Sequence, residues 1–173
     1  MKINVRDGET FTIAGIEFIK FPGKNGATPV MSKQCLFRSQ FGGNNDLRKS
    51  KIVKKMETDV LPKIAAAIGE ENVLTFQTDL TTLDGLKPYG IMESKVSLPT
   101  LDFYRANVEI FDEYKAGEWF WLATPESAKP HDDPSWILCV APSGSIDYDD
   151  YNYDVGVRPF LYFNSSIFES CGE

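Results

Sequence analysis

The amino-acid sequence predicts an α+β fold, and three observations predict it. Near the N-terminus, Phe11-Thr12-Ile13-Ala14-Gly15-Ile16-Glu17-Phe18-Ile19-Lys20-Phe21 alternates apolar and polar residues on both sides of a tight turn, the pattern of a hairpin. From Asp46 the spacing changes: Val53, Met56, Val60, Ile64 and Ile68 recur at three- and four-residue steps, one apolar face of a helix. Toward the C-terminus two aromatic-rich runs, Glu118 to Pro125 and Gly156 to Phe163, read as paired central strands joined by an exposed polar connection. No repeat, low-complexity tract or Gly/Ser-rich linker divides the chain, so 1–173 reads as one domain.

After the hairpin, Pro22-Gly23-Lys24-Asn25-Gly26 is a turn, and Thr28 to Phe37 is a third strand rich in β-formers. Gly42-Gly43-Asn44-Asn45 is loop leading into the helical region. Pro62 fits a second helix capped by Asp59, because a proline in the first turn sacrifices no helical hydrogen bond; Gly69 stops it. Arg48, Lys49, Lys51, Lys54 and Lys55 occupy the opposite face with Asp46, Glu57 and Asp59 interleaved, which reads as a solvated face rather than a phosphate reader. Asn72 to Thr78 is a short strand, and Asp79 to Gly85 a turn. Ser97-Leu98-Pro99-Thr100 caps a helix from Leu101 to about Ala116 that buries Phe103, Tyr104, Val108 and Phe111 and ends at Gly117.

Composition narrows the class. A chain of 173 residues buries roughly 70% of its unfolded surface, so it needs no metal or disulfide staple. Cys35, Cys139 and Cys171 are odd in number and widely spaced, as expected of reduced thiols. No apolar run suggests a signal peptide or membrane span, so the expected location is a host cytoplasm, with assembly into a virion equally compatible. Charge is uneven. Residues 1–101 carry 14 Lys or Arg against 11 Asp or Glu, a net of +3, whereas residues 102–173 carry 4 against 14, a net of −10. The acidic half repels nucleic acid and attracts basic surfaces.

Catalytic signatures are absent: there is no G-x-S-x-G, Walker loop or H-E-x-x-H, so the expectation is a protein without enzymatic activity, cofactor or bound metal. His131 is the only histidine and stands beside Asp132 and Asp133 in a proline-flanked turn. Asp147, Tyr148, Asp149, Asp150, Tyr151, Tyr153 and Asp154 form an acidic, tyrosine-rich stretch. Its spacing fails the calcium loop, since no Gly follows Tyr151 and the twelfth position is Arg158 instead of Glu. The same residues suit recognition: tyrosine rings give rigid contact area at low entropic cost, and the carboxylates attract a basic partner. Trp121, Trp136 and Arg158 read as structural, the two indoles in the core and the guanidinium buried against carboxylate or backbone carbonyls.

Phe120-Trp121-Leu122-Ala123-Thr124-Pro125, then Trp136-Ile137-Leu138-Cys139-Val140 with Gly144, then Gly156-Val157-Arg158-Pro159-Phe160-Leu161 resembles the ending W-W-L-R-S-P, A-x-V-x-x-x-G, G-V-R-P-A-L. That ending marks a family of bacterial and phage domains similar to the formylglycine-generating-enzyme branch of C-type-lectin-like folds, where a Gly-apolar-Arg strand is a hallmark. The resemblance covers about the last third, is looser before it, and departs at Ala123, where the family has Arg. It implies a C-type-lectin-like fold with an N-terminal hairpin, a helical middle and C-terminal antiparallel strands carrying long loops, and a mobile-element origin. It implies no activity. The cysteine site of those enzymes finds no matching context at Cys139 or Cys171.

The expected function is therefore a phage- or prophage-type binding module that engages a protein with a basic surface through a Ser145–Asp154 loop, helped by Pro130 to Pro134. The alternatives are an anti-CRISPR-like inhibitor that imitates nucleic acid before a host nuclease, and a virion adhesin or altered relative of the formylglycine-generating enzymes. Neither direct nucleic-acid binding nor membrane binding is expected.

Overall fold

A computed structural model describes residues 2–169; Cys171 lies outside them. The chain is an α+β domain, mostly sheet with few helices. Strands β1 (Thr10–Ile13) and β2 (Ile16–Lys20) form the expected hairpin. Its two-residue turn sets Ala14 at φ 53° and Gly15 at φ 77°, the paired positive angles that match strand twist. Strand β3 (Ala27–Ser32) pairs with β2, and β11 (Phe160–Asn164) pairs with β3, giving a sheet ordered β1-β2-β3-β11.

The second sheet is ordered β4-β10-β7-β8-β9, with β4 Phe37–Ser39, β7 Phe120–Pro125, β8 Trp136–Val140, β9 Ile146–Asp150 and β10 Val155–Val157. β7 is buried along its whole length, as its apolar run predicts. The third-strand prediction is corrected: extended structure stops at Ser32 and resumes at Phe37 in the other sheet. The run from Gly156 to Phe163 likewise splits between the two sheets at Arg158-Pro159. Proline has no N–H for a ladder, so the chain changes sheets there. The two aromatic runs share one ladder pair, the parallel Gly156 with Phe120, and β8 takes the other edge of β7 with β9 beyond it.

Arg158 stands at this crossing with no exposed surface. Its Nε donates to the Ser32 carbonyl at 3.0 Å, and its Nη2 to the carbonyls of Lys33 at 2.7 Å and Tyr114 at 3.1 Å. The guanidinium also lies 4.7 Å from the Phe120 ring centroid. Burial pulls its pKa down to about 10. Of the two partners open to it in sequence, carbonyls are the ones it uses. Gly156 is required beside it, because a Cβ there would come within 2.4 Å of Cys35 Sγ and 2.6 Å of the Trp119 carbonyl oxygen.

Helices α1 (Lys51–Asp59) and α2 (Leu61–Ile68) follow β4. Ser50 caps α1 by accepting from the Val53 N–H at 3.1 Å. Val53, Met56, Val60 and Ile64 are buried as their spacing requires, Ile68 is half-buried, and Lys51, Lys54 and Lys55 face solvent. Val60, without a side-chain bond, precedes α2 in place of the expected Asp59, whose carboxylate instead lies 3.6 Å from Lys55 Nζ. The short strand before the turn comes later than predicted: β5 (Phe76–Asp79) pairs with β6 (Ile91–Ser94), which sequence did not indicate.

Of the capping stretch Ser97 to Thr100, Thr100 caps the next helix, accepting from the Phe103 N–H at 3.1 Å. The helix then breaks into α3 (Leu101–Ala106) and α4 (Val108–Glu113) because Asn107 leaves helical geometry and bonds its side chain to the Phe103 carbonyl at 3.0 Å. The break rotates Val108 to a 40% exposed position, whereas Tyr104 and Phe111 stay buried and Phe103 half-buried. Among the described residues no helix is long and apolar enough to cross a membrane.

Candidate functional site

The acidic stretch is not a loop. Ile146 to Asp150 form β9, the edge strand, and only Tyr151 to Asp154 turn back toward β10. Its register on β8 pairs Trp136 with Asp150, Ile137 with Asp149, Leu138 with Tyr148, Cys139 with Asp147 and Val140 with Ile146. The strand is built from two different surfaces, since successive side chains point to opposite faces. Asp147 and Asp149 share the face of Ile137 and Cys139; Ile146, Tyr148 and Asp150 share that of Trp136, Leu138 and Val140.

Flanking bonds fix which backbone groups face outward. The Ala141 N–H bonds the Ser145 carbonyl at 2.9 Å and the Tyr151 N–H the Ser135 carbonyl at 3.0 Å, so the alternation leaves Ile146, Tyr148 and Asp150 turned away from β8. The Tyr148 N–H is then taken by the Asp147 carboxylate at 2.8 Å. Side-chain capping and charge are devices that stop an open edge from recruiting another strand. Besides its remaining backbone groups, the edge offers a partner its side chains.

Those side chains are available. Tyr148 is 49% and Tyr153 57% exposed, and Asp147 and Asp154 are exposed with them. The Tyr148 ring stands edge-on to Trp136, centroids 5.4 Å apart, which holds it at a fixed angle. Trp136 is half-buried beneath it, a correction to its assignment to the core; Trp121 is fully buried, its Nε1 donating to the Ser39 carbonyl at 3.0 Å. Tyr151 is half-buried against the core, and its carbonyl accepts the Phe41 N–H at 2.9 Å, which anchors the turn. Arg38 Nη2 donates to the Asp154 carbonyl at 3.0 Å. Among the described residues none of Asp147, Asp149, Asp150 and Asp154 joins an ion pair. Burial and the neighbouring Asp147 and Asp150 charges raise the Asp149 pKa, and the Cys139 thiol beside it is pushed up to about 12, chiefly by burial.

His131, Asp132 and Asp133 are exposed in the β7–β8 connection, which reaches the same end of the sheet as the Tyr151–Asp154 turn. The fold supplies partners that sequence did not reveal. His131 Nδ1 lies 2.8 Å from Asp84 Oδ2, and Ser127 Oγ donates to that same oxygen at 2.6 Å. Thr82 Oγ1 donates to Asp84 Oδ1 at 2.5 Å. These bonds, from Ser127, Thr82 and His131 in that order, hold the Asp84 carboxyl well below the usual carboxylate range. Hydroxyl and imidazole both donate to one carboxylate, so His131 is not placed between Asp84 and Ser127 and the serine–histidine–aspartate order of a nucleophilic triad is not formed by these three residues. Glu126 next to it is pushed upward by burial and by Asp132 and Asp84.

Asn45, fully buried, joins this end together: its Nδ2 donates to the Ser127 carbonyl at 2.8 Å and the Trp136 carbonyl at 3.2 Å, and its Oδ1 accepts from Tyr89 at 2.5 Å. In sequence Asn45 and Asp84 look like ordinary loop residues, and no local signal marks them. Among the described residues no group of three or more His, Cys, Asp or Glu is placed to hold a metal ion. Comparisons with protein-family models, with curated proteins and with solved structures return no match for this chain.

Proposed function

We propose that this chain is a non-catalytic binding module of phage or prophage type, with a C-type-lectin-like fold, that engages a protein partner through the β9 edge and the Tyr151–Asp154 turn. The observation that carries the reading is the combination of a sheet edge, two exposed tyrosines and carboxylates that join no ion pair among the described residues. Unpaired exposed acid costs little in the free protein and speeds encounter with a cationic surface, while the tyrosines supply contact area once docked. His131, Asp132 and Asp133 extend the surface at the turn end. The phage-type origin and the lectin-like fold rest on the Gly156-Val157-Arg158-Pro159 ending, and the buried Arg158 at the crossing of two sheets supports a structural reason for that motif.

A second reading has one specific support. Asp147 and Asp149 share a strand face about 7 Å apart, a linear row of acid that a groove built for nucleic acid accepts. The partner is then a host nuclease, and the module inhibits it by occupying that groove.

Affinity capture from host lysate with the wild-type chain and with Asp147→Asn, Asp149→Asn, Asp150→Asn and Asp154→Asn combined tests both. Binding is expected to weaken at least tenfold in the variant and to lose most of its salt dependence. Equal capture by both chains rejects the surface. Displacement of the captured partner by DNA or RNA selects the inhibitor reading.

A further inference from the structure

The charge of the molecule has a second pole, independent of the acidic edge. We propose that the groove between the joined chain ends and the β2–β3 turn binds an extended acidic peptide, one whose carboxylates are spaced along its length. The cavity measures about 880 Å³, within the roughly 300–1,000 Å³ of preformed ligand sites. Two parts of the chain line it. One is the meeting of the chain ends, where the Ile3 N–H bonds the Ile167 carbonyl at 2.8 Å and the Glu169 N–H bonds the Ile3 carbonyl at 2.9 Å. The other is the tight turn at Asn25-Gly26, closed by reciprocal Lys24 and Ala27 backbone bonds of 2.9 and 3.1 Å.

Among the described residues four cations line the groove, Lys2, Arg6, Lys20 and Lys24, against two carboxylates, Asp7 and Glu169. Lys20 already pairs with Asp7, whereas Arg6 and Lys24 are exposed and join no ion pair among the described residues. The hydroxyls of Thr28 and Ser165 bond each other at 2.8 Å, which leaves one O–H of the pair to donate. Lys2 is held on the Ser166 carbonyl, Lys20 on Asp7 and Lys24 in the β2–β3 turn, so the cations stand on separate segments, which suits several singly charged carboxylates better than one phosphate dianion. An oligonucleotide is the poorer fit, because Phe168, the aromatic ring of the lining, is 6% exposed with the Lys20 ammonium 5.3 Å from its centroid. No ring face is open for a base to stack on.

Fluorescence anisotropy with the full chain and a labelled peptide of alternating Glu and Ser tests this. Saturable, salt-sensitive binding is expected, weakened about tenfold or more by Arg6→Glu with Lys24→Glu. The Asp147, Asp149, Asp150 and Asp154 to Asn variant is expected to bind the peptide at least as well as wild type, which separates this site from the acidic edge. Should the double reversal lower the melting temperature, Lys24→Gln, on an exposed turn, replaces it with a smaller loss expected. Absence of peptide binding, unchanged affinity in the Lys24 and Arg6 variants, or tighter binding of a single-stranded oligothymidylate of equal charge overturns the proposal.

Discussion

Arg158 and the carboxylates of Asp147 on β9 and Asp154 in the turn after it lie close in sequence and treat charge in opposite ways. The guanidinium is removed from water entirely, its Nε and Nη2 answered by three carbonyls from the end of β3, the residue after it and the end of α4, while Nη1 has no hydrogen-bond partner among the described residues. The carboxylates of Asp147 and Asp154 stay in water with no ion-pair partner among the described residues. The first arrangement makes the fold depend on a charge, since a buried polar partner left unpaired is costly. The second leaves charge free for an encounter, since an exposed group in high dielectric contributes little to folding. The difference teaches that the same kind of residue is structural or interactive according to how its desolvation is met, and mutation separates the two.

The largest effect is expected at the buried end of that comparison. Arg158→Ala leaves three carbonyls without their donor, at about 1–3 kcal/mol for an unpaired buried acceptor, together with a cavity at the crossing of the two sheets, and is expected to cost about 3–5 kcal/mol, read as a fall in the urea midpoint. A loss under about 1 kcal/mol would break the contrast. Asn45→Ala, which removes three hydrogen bonds among the loops at the acidic end, is expected to cost about 2–3 kcal/mol by the same measurement.

A smaller, pH-dependent effect is expected at Asp84. Its folded pKa is depressed, so its contribution to stability is present above the unfolded value near 3.9 and is lost as pH falls below it. Asp84→Asn should therefore be less stable than wild type at neutral pH, with the gap in melting temperature closing toward acid; a gap independent of pH would contradict this. Asp147→Asn, at the exposed end, is expected to change stability by less than about 0.5 kcal/mol in thermal denaturation, which sharpens the contrast with Arg158.

The hairpin turn at Ala14-Gly15, the apolar face of α1 and α2, the capping stretch Ser97 to Thr100 and the burial of β7 and Arg158 were all legible, because each follows from a local period or a local backbone requirement. The acidic stretch was legible as a surface but not as an edge strand. Its Asp and Tyr alternation is poor in apolar residues, and only the open edge of β8 gives it a ladder to join. Asp59 as a cap and Val108 as a buried residue failed where a neighbouring helix start, or the Asn107 break, shifted the helical phase by a fraction of a turn.

By itself, then, the sequence determined the class of the fold, the core faces of its elements and the separation of basic and acidic halves, since these depend on residue type and near-neighbour spacing. Tertiary structure alone decided that Gly156 to Phe163 serve two sheets, that Asp84 meets His131 and Ser127, and that Asn45 ties three loops together. Those contacts join residues far apart in the chain, and only the packed backbone carries the information that brings them within hydrogen-bond reach.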